Sequence, residues 1–158
     1  AAREKIDIPV LHPGETALYM ASLLGRKFSI IDILDEPGLC LIDLIRDCGL
    51  ESNLVSIRNI NIPVLDLEED LERTFETSFN ESKMAIEEGA NALVLGCGVL
   101  MNIAKRVEKN LHEDGLLVPV IDPLKTAVYM AILQTKMGLK YSKKAYPSPR
   151  NKNRLFRN

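Results

Sequence analysis

The sequence predicts an α/β fold in which a parallel sheet lies between two layers of helices. Short apolar runs, such as Phe28–Leu34, alternate along the chain with segments whose apolar residues recur at helical spacing. One run, Leu93–Gly96, has no polar side chain, which is typical of a strand that is buried on both faces. Strands that alternate with crossover helices form a parallel sheet, so we expect a three-layer architecture.

The first third of the chain is predicted to contain two strands and two helices. Ile8–Leu11 and Phe28–Leu34 are the apolar runs. Gly14–Leu24 and Pro37–Cys48 have helical spacing, and each is followed by a glycine, the residue that commonly ends a helix. The apolar stripes are Ala17, Leu18, Ala21 and Leu24 in the first helix and Leu41, Leu44, Ile45 and Cys48 in the second.

The middle of the chain predicts one strand and one long helix. Leu54–Ile62 alternates loosely between polar and apolar residues, as half-buried strands do. Leu67–Glu88 has the apolar spacing of a helix and is followed by Gly89. Its stripe consists of Leu67, Leu71, Phe75 and Phe79.

The last part of the chain predicts two strands, two helices and a tail. A helix opens directly after the strand Leu93–Gly96, with apolar residues at helical spacing from Leu100 to Leu111. Val118–Ile121 is the last strand, and a helix follows over Pro123–Met137, since proline suits the first turn of a helix. Residues 141–158 are polar and basic and are predicted to form a loose extension.

Composition and charge exclude several classes of function. The chain has 158 residues with 20 basic and 22 acidic side chains, so its net charge of −2 gives no field that attracts nucleic acid or a membrane surface. The apolar runs are much shorter than the ~20 residues that span a bilayer. Two histidines and no CxxC spacing leave no zinc motif, and no glycine-rich phosphate loop is present. We therefore expect no metal site and no nucleotide cofactor.

The number and spacing of the three cysteines indicate a reducing compartment. Their number is odd, and none is spaced as in a disulfide framework or a metal motif. Such a chain belongs in a reducing environment, so we expect a cytoplasmic protein. Cys48 continues an apolar helix stripe and is expected in the core, whereas Cys40 lies off that stripe.

Cys97 is the best candidate for a reactive group. It lies between Gly96 and Gly98, where a buried strand ends and a helix begins. Ligands of open α/β sheets bind at this end of the strands. The first N–H groups of the helix and their partial positive charge favour both a bound carboxylate and a thiolate. The alternative is a small buried cysteine with a packing role.

Six pieces of sequence, in this order and spacing, resemble the aspartate/glutamate/hydantoin racemase superfamily, and its hydantoin/allantoin branch most. The resemblance covers roughly residues 1–146. The matching pieces are Ile8–Val10, Gly14-Glu15, Ser22–Ser29, Ile62–Asp66, Asn91–Gly98 and Val118–Pro123.

The resemblance implies a cofactor-independent racemase or isomerase that moves a proton through cysteine thiols. Enzymes of this superfamily have two similar α/β lobes, each of which supplies one cysteine, and Cys97 would be the catalytic cysteine of the second lobe. The implied substrate is a hydantoin, allantoin or an amino-acid-like carboxylate. Alternatives are an impaired or non-catalytic remnant that binds a small carboxylate, and a one-cysteine decarboxylase or isomerase.

The resemblance also implies which residues bind the substrate. Gly98 and Val99 stand where relatives usually have Thr, Ala or Ser followed by Gly. Asp32 and Ile33 stand where relatives usually have a Thr-Thr-like pair that binds the substrate carboxylate, which an aspartate would repel. Glu15 matches a Gly-Glu pair beside the cleft. The alternatives are a polar loop at residues 32–36 that caps the next helix, and a Glu15 that only favours the helix dipole.

The two-lobed pattern also implies a division of the chain. Residues 1–26 would be a remnant of the first lobe, and residues 27–122 the complete lobe that carries Cys97. Residues 123–140 would return to the first lobe, and residues 141–158 would form the tail. The first cysteine of the superfamily lies upstream of Ala1, so we expect an N-terminally truncated chain or a half-length gene product. Its two flanking helices would expose apolar stripes, which predicts a homo-oligomer.

Neither Cys40 nor Cys48 is predicted to replace the missing second base, since neither lies on a strand-end turn. His12 is expected on the surface; the alternative is that it faces the cleft beside Gly14-Glu15. Asp122 ends a strand, and we expect it to cap the helix that Pro123 begins.

Overall fold

The computed structural model, which describes residues 2–33 and 39–149, contains a four-stranded parallel sheet. The strand order is β2-β1-β3-β4, so the chain crosses over between strands that are not neighbours in sequence. The strands are β1 (Phe28–Asp32), β2 (Leu54–Asn59), β3 (Ala92–Leu95) and β4 (Val120–Ile121).

Helices connect and flank these strands. They are α1 (Ala2–Lys5), α2 (Pro13–Leu24), α3 (Leu39–Asp47), α4 (Leu71–Glu87), α5 (Met101–Glu113) and α6 (Pro123–Lys136). Among the described residues, no helix combines the length and the hydropathy that crossing a membrane requires.

The sheet is covered on both faces, as the sequence predicts. Side chains of a strand point alternately to opposite faces. Accordingly, Ile31 and Leu93 belong to a core cluster with residues of α4 and α5. Their neighbours Ile30 and Ala92 belong to a second cluster with residues of α2 and α3. The three-layer α/β architecture is therefore confirmed.

Local sequence determines where two of the helices begin. The Asp122 carboxylate accepts a 3.1 Å hydrogen bond from the N–H of Lys125, and Pro123 occupies the first turn of α6. Asp122 therefore caps α6, as predicted. The Nδ1 atom of His12 accepts a 3.3 Å hydrogen bond from the N–H of Glu15 at the start of α2.

The predicted strand Ile8–Leu11 is wrong. Pro9 has no N–H to donate, and side chains bind the backbone of Val10 where a neighbouring strand would. The N–H of Val10 donates to the Tyr141 hydroxyl at 3.0 Å, and Arg3 Nε donates to the Val10 carbonyl at 2.9 Å. Residues 8–11 are therefore a loop that leads into α2.

The predicted strand Leu54–Ile62 ends earlier than expected, at Asn59. Asn61 has a φ of 54°, a left-handed conformation that interrupts the extended chain. This turn lets both Ile60 and Ile62 enter the core, where they are 4% and 2% exposed.

Three other predicted elements have different bounds. The helix predicted over Leu67–Glu88 begins at Leu71, because the Asp70 carboxylate caps it by accepting from the N–H of Arg73 at 2.9 Å. The strand predicted over Phe28–Leu34 is described to Asp32, and residue 34 lies outside the described residues. The helix predicted over Pro37–Cys48 is described over Leu39–Asp47, with residues 37 and 38 outside that part.

The tail is not a loose extension in its first part. The Tyr141 and Tyr146 rings lie edge to face, 5.5 Å between centroids, and the guanidinium of Arg3 lies 5.1 Å from the Tyr141 centroid. Lys143 forms a 2.8 Å ion pair with Asp7. Residues 141–146 therefore pack against the start of the chain, while residues 150–158 lie outside the described part.

Helix α6 packs mainly against α2 rather than against the sheet. Pro123 is its one buried residue, whereas much of its apolar surface is exposed. The exposed apolar residues of α6 are Leu124, Val128, Tyr129, Ile132 and Leu133. This confirms the predicted exposed stripe on the last helix. The exposed stripe predicted on α2 is wrong for Ala17, Leu18 and Ala21, which are buried, and only Leu24 is exposed.

Candidate active site at the Cys97 turn

Cys97 lies between the end of β3 and the start of α5. Its backbone is extended, with a φ of −122° and a ψ of 136°, and residues Gly98–Leu100 then form one 3-10 turn that leads into α5. The N–H of Leu100 bonds to the Cys97 carbonyl at 3.2 Å, so the N–H groups of Gly98 and Val99 are the first of the turn. This is the strand-end, helix-start position that the sequence predicts.

The Cys97 side chain is half-buried. It packs, together with Ile33 and Val99, against the core cluster that α4 and α5 form with the sheet. All three predicted site residues therefore lie on the α4–α5 side of the sheet.

Asp32 is brought next to the same turn. It ends β1, and its carboxylate Oδ1 would be 2.7 Å from a Cβ atom built on Gly96, the residue before Cys97. On its other side Asp32 is paired in register with Asn59 at the end of β2. Asn59 Oδ1 is buried and has no hydrogen-bond partner among the described residues. Two acceptor side chains therefore lie at adjacent strand ends.

Glu15 is placed differently. Its carboxylate accepts a 2.8 Å hydrogen bond from Arg3 Nη2, and the same Arg3 binds the Tyr146 hydroxyl and the Val10 carbonyl. The hydrogen bond that Arg3 donates to Glu15 raises the pKa of the Arg3 guanidinium, which therefore stays charged at physiological pH. Glu15 thus anchors the start of α2 to the start of the chain.

A cleft opens beside the Cys97 turn, between α2, α3 and the first turn of α6. We call it the α2–α3 cleft; its volume is about 560 Å³, within the range of small-molecule sites. Gly96 and Gly98, the two neighbours of Cys97, both line it. Its other described lining residues are His12, Pro13, Gly14, Leu18, Ile30, Cys40, Leu41, Asp43, Leu44, Asp47, Val94, Leu95, Pro123 and Leu124.

Two polar residues, His12 and Cys40, also line this cleft, and only Cys40 was not expected there. His12 is exposed, as predicted, but it stands at the cleft, and its proximity to Gly14-Glu15 was the sequence signal that pointed to it. Cys40 is an exposed thiol on α3 that also lines the cleft. Its sequence carried no such signal, because the placement of α3 over the sheet is a tertiary contact.

The first turn of α6 covers the Cys97 turn. A Cβ atom on Gly98 would be 3.0 Å from Leu124 Cδ1, so the glycine lets α6 approach closely. Asp122 caps α6 and lines a second cleft rather than the α2–α3 cleft.

That second cleft, about 510 Å³, follows the open edge of β4. Glu108 Oε1 accepts a 3.2 Å hydrogen bond from the outward N–H of Val120, which protects this edge from pairing with another strand. The described part of the chain contains no group of three or more His, Cys, Asp or Glu residues that could hold a metal ion.

Comparison with known proteins places this architecture in a family. The sequence model of the family described as Asp/Glu/Hydantoin racemase matches residues 1–131. The chain belongs to the Asp/Glu/hydantoin racemase family. The resemblance that the sequence pieces indicated is therefore confirmed.

Individual racemases support the assignment. The hydantoin racemase of Pseudomonas sp. (strain NS671) is 37% identical over 154 residues, which cover 96% of this chain and 60% of the relative. The hydantoin racemase of Paenarthrobacter aurescens is 34% identical over 98% of this chain and 64% of the relative.

A solved racemase has the same fold. The allantoin racemase from Klebsiella pneumoniae superposes with a TM-score of 0.86 at 30% identity, covering 96% of this chain and 60% of that structure. The chain thus spans about 60% of the length of these racemases. The division of the chain into lobes and the roles of the individual site residues stay predictions.

Proposed function

We propose that this chain carries one half of the active site of a cofactor-independent racemase, with Cys97 as the group that moves the proton. The position of Cys97 supports this most: a half-buried thiol at a strand end, beside a cleft of small-molecule size, in a racemase-family fold. The names of the similar racemases support a hydantoin or allantoin as the substrate.

The proposed chemistry is proton transfer at a carbon next to a carbonyl group. The Cys97 thiolate takes the proton, so the C–H bond breaks, an S–H bond forms, and the electron pair moves onto the carbonyl oxygen. The N–H groups of Gly98 and Val99, at the start of the 3-10 turn, would hold that negative oxygen. A second acid then returns a proton to the opposite face of the carbon. In this proposal it comes from a segment beyond this chain or from another subunit.

The position of Asp32 favours a substrate with a neutral ring rather than an amino acid. Its carboxylate lies against Gly96, and an ionised carboxylate would repel a substrate carboxylate at this place. A hydantoin ring carries N–H donors and no carboxylate, so Asp32 could accept a hydrogen bond from it. In the proposed site Ile33 packs against the same core cluster as Cys97, and Glu15 acts indirectly by fixing the start of α2.

The test is alkylation of Cys97 with iodoacetamide over a range of pH, with and without hydantoin ligands, followed by peptide mass spectrometry. We expect ligand to slow the alkylation of Cys97, and we expect Cys97→Ser to abolish the exchange of the substrate C–H proton for deuterium in D2O, a step that needs only this one base. Cys40→Ser is the matched control, since it removes the exposed thiol of the α2–α3 cleft, which Cys97 itself does not line. A Cys97 that no ligand shields would contradict the proposal.

A second candidate function is a racemase-like chain that binds the ligand without turning it over. The bulk of Val99, where relatives usually have glycine, favours it. Ligand binding by Cys97→Ser and wild type alike, with no exchange of the ligand's C–H proton for deuterium by either, would identify this function.

We also propose a homo-oligomer in the cytoplasm. The exposed apolar residues of α6 support association, since monomers rarely expose such patches, and the three free cysteines support a reducing compartment. Analytical ultracentrifugation tests the first point: a monomer at all concentrations would contradict it.

A further inference from the structure

The charges of the chain are separated between its two ends. Nine of the 20 basic residues follow Asp122 in the sequence, and no acidic residue does. The part of the chain before α6 therefore has an excess of negative charge, although the net charge of the whole chain is only −2. Surfaces of opposite charge on one molecule allow one copy to attract another.

The exposed face of α6, which we call the α6 surface, is apolar with a positive charge near each end. Lys125, Tyr129, Ile132 and Lys136 are spaced by three or four residues, so they form one row about 17 Å long on the helix. All four are exposed, and neither lysine has an ion pair among the described residues. The other exposed apolar residues of this surface are Leu124, Val128 and Leu133.

A second exposed surface, which we call the acidic patch, has the opposite charge. It consists of residues 64–72, which lead into α4 and include five acidic side chains and no basic one. Neither Glu68 nor Glu69 has an ion pair in the described part of the chain. The exposed apolar residues of the patch are Val64, Leu65 and Leu71.

We propose that the α6 surface of one copy of this chain docks on the acidic patch of a second copy. This proposal rests on the homo-oligomer of the proposed function and names the two surfaces that form it. Each surface combines exposed apolar side chains with charges that the other surface complements, as the core and the rim of protein interfaces do. The contact joins two different surfaces, so it is heterologous and forms rings or open chains of copies.

The charges disfavour contact between two α6 surfaces. Such a symmetric pair would bring Lys125 and Lys136 of both copies into one interface. No acidic residue lies within α6 to neutralise them. Like charges in an interface oppose association, whereas the acidic patch offers these lysines carboxylates.

Both surfaces reach the neighbourhood of the Cys97 turn. Leu124, at the start of the α6 surface, lies against Gly98. Glu68 of the acidic patch accepts a 3.3 Å hydrogen bond from Asn102 on the first turn of α5, the helix that follows the Cys97 turn. A docked copy would therefore lie close to the turn that carries the proposed reacting group.

The experiment reverses the charges of each surface and measures association of the full chain by analytical ultracentrifugation. One variant carries Lys125→Glu with Lys136→Glu, and the other carries Glu68→Lys with Glu69→Lys. Each variant alone should have a dissociation constant about 100-fold above that of wild type, because like charges then face each other. An equimolar mixture of the two variants should recover association, since opposite charges face each other again.

Two controls accompany the variants. Lys27→Glu with Lys109→Glu reverses two exposed lysines outside both surfaces, so it changes the net charge equally and should leave association unchanged. The association of wild type should weaken by about tenfold when the salt concentration rises from about 0.05 M to about 0.5 M, because salt screens exposed charges.

The outcomes separate this inference from the proposed function. Weak association of each variant, with recovery in the mixture, supports the proposed contact. If Glu68→Lys with Glu69→Lys associates as tightly as wild type, the acidic patch is not the docking site, and the homo-oligomer proposal stays intact. A wild-type chain that is monomeric overturns both, whereas deuterium exchange of the substrate C–H proton tests the racemase proposal independently. If a variant does not fold by circular dichroism, the salt dependence of wild type decides, and association that salt does not weaken overturns the contact.

Discussion

The carboxylate of Asp32 lies directly against the backbone of Gly96. A Cβ atom on Gly96 would be 2.7 Å from Asp32 Oδ1 and 3.1 Å from Asp32 Cα. The same Oδ1 accepts a 2.8 Å hydrogen bond from the N–H of Ile33, which fixes the carboxylate. The ends of β1 and β3 are therefore in contact through a glycine that precedes Cys97.

Replacing Gly96 by alanine should disturb both the fold and the site. The new methyl group has no room beside Asp32, and forced overpacking of this kind costs about 1–3 kcal/mol. We expect Gly96→Ala to lower the free energy of unfolding by this amount in urea denaturation, and to weaken ligand protection of Cys97.

The double variant Gly96→Ala with Asp32→Ala provides the control. It removes the carboxylate that the methyl group meets, so it should recover part of the lost stability relative to Gly96→Ala alone. A single variant as stable as wild type, or a double variant without any recovery, would show that the two residues are not in this contact.

The Cys97 turn could be predicted from the sequence, but its surroundings could not. A short apolar strand that ends in Gly96-Cys97-Gly98 and continues as a helical pattern is local information. The contact of Asp32 with Gly96 depends on the pairing of β1 with β3, which no local pattern encodes. The same holds for Cys40, which reaches the α2–α3 cleft only because α3 packs over the sheet.

The predicted strand Ile8–Leu11 failed for a related reason. Its apolar residues suit a strand, but the hydrogen bonds of Val10 go to Tyr141 and Arg3, which are distant in sequence or on another element. Another predicted strand is interrupted at Asn61, which adopts a left-handed conformation. Asparagine tolerates this conformation, but an asparagine in the sequence does not by itself predict it.

Asn61 itself provides a test of that turn. Alanine tolerates a φ of 54° less well than asparagine, so Asn61→Ala should lower the free energy of unfolding by about 1 kcal/mol. Asn61→Gly should be tolerated, because glycine adopts this conformation without steric cost. Urea denaturation of both variants checks this, and equal stability of the alanine and glycine variants would be the contrary result.

Arg3 should contribute more to stability than an exposed arginine. It binds Glu15, Tyr146 and the Val10 carbonyl, and charge-assisted hydrogen bonds of this kind are worth about 1.5–3 kcal/mol. We expect Arg3→Met to lower the free energy of unfolding by about 2 kcal/mol.

Two further variants control for charge and for the loss of any arginine. Arg3→Lys should not restore stability, since an ammonium group cannot reproduce the fixed, planar arrangement of N–H donors of the guanidinium. Arg46→Met removes the ion pairs with Asp43 and Glu51 of an arginine that is 58% exposed, so it should cost less than about 1 kcal/mol. If Arg3→Met and Arg46→Met lowered the free energy of unfolding equally, the packing of residues 141–146 on Arg3 would contribute nothing to stability.

The thiol of Cys48 should be the slowest of the three to react. Burial raises the pKa of the Cys48 thiol above its ordinary value of 9.0, and the thiolate is the form that iodoacetamide attacks. The exposed Cys40 should therefore be alkylated first at every pH up to that value, as peptide mass spectrometry over time would show. Cys48 alkylated as fast as Cys40 would contradict the burial of its thiol between α2 and α3.

The same shift predicts a pH dependence of stability. The folded chain holds the Cys48 proton to higher pH than the unfolded chain does, so above the ordinary thiol pKa the folded state binds more protons. The free energy of unfolding should then decrease as the pH rises through this window. Cys48→Ala, which has no proton to lose, should show a smaller decrease over the same range, whereas Cys40→Ala should follow wild type. Parallel curves for wild type and Cys48→Ala would exclude a contribution from this thiol.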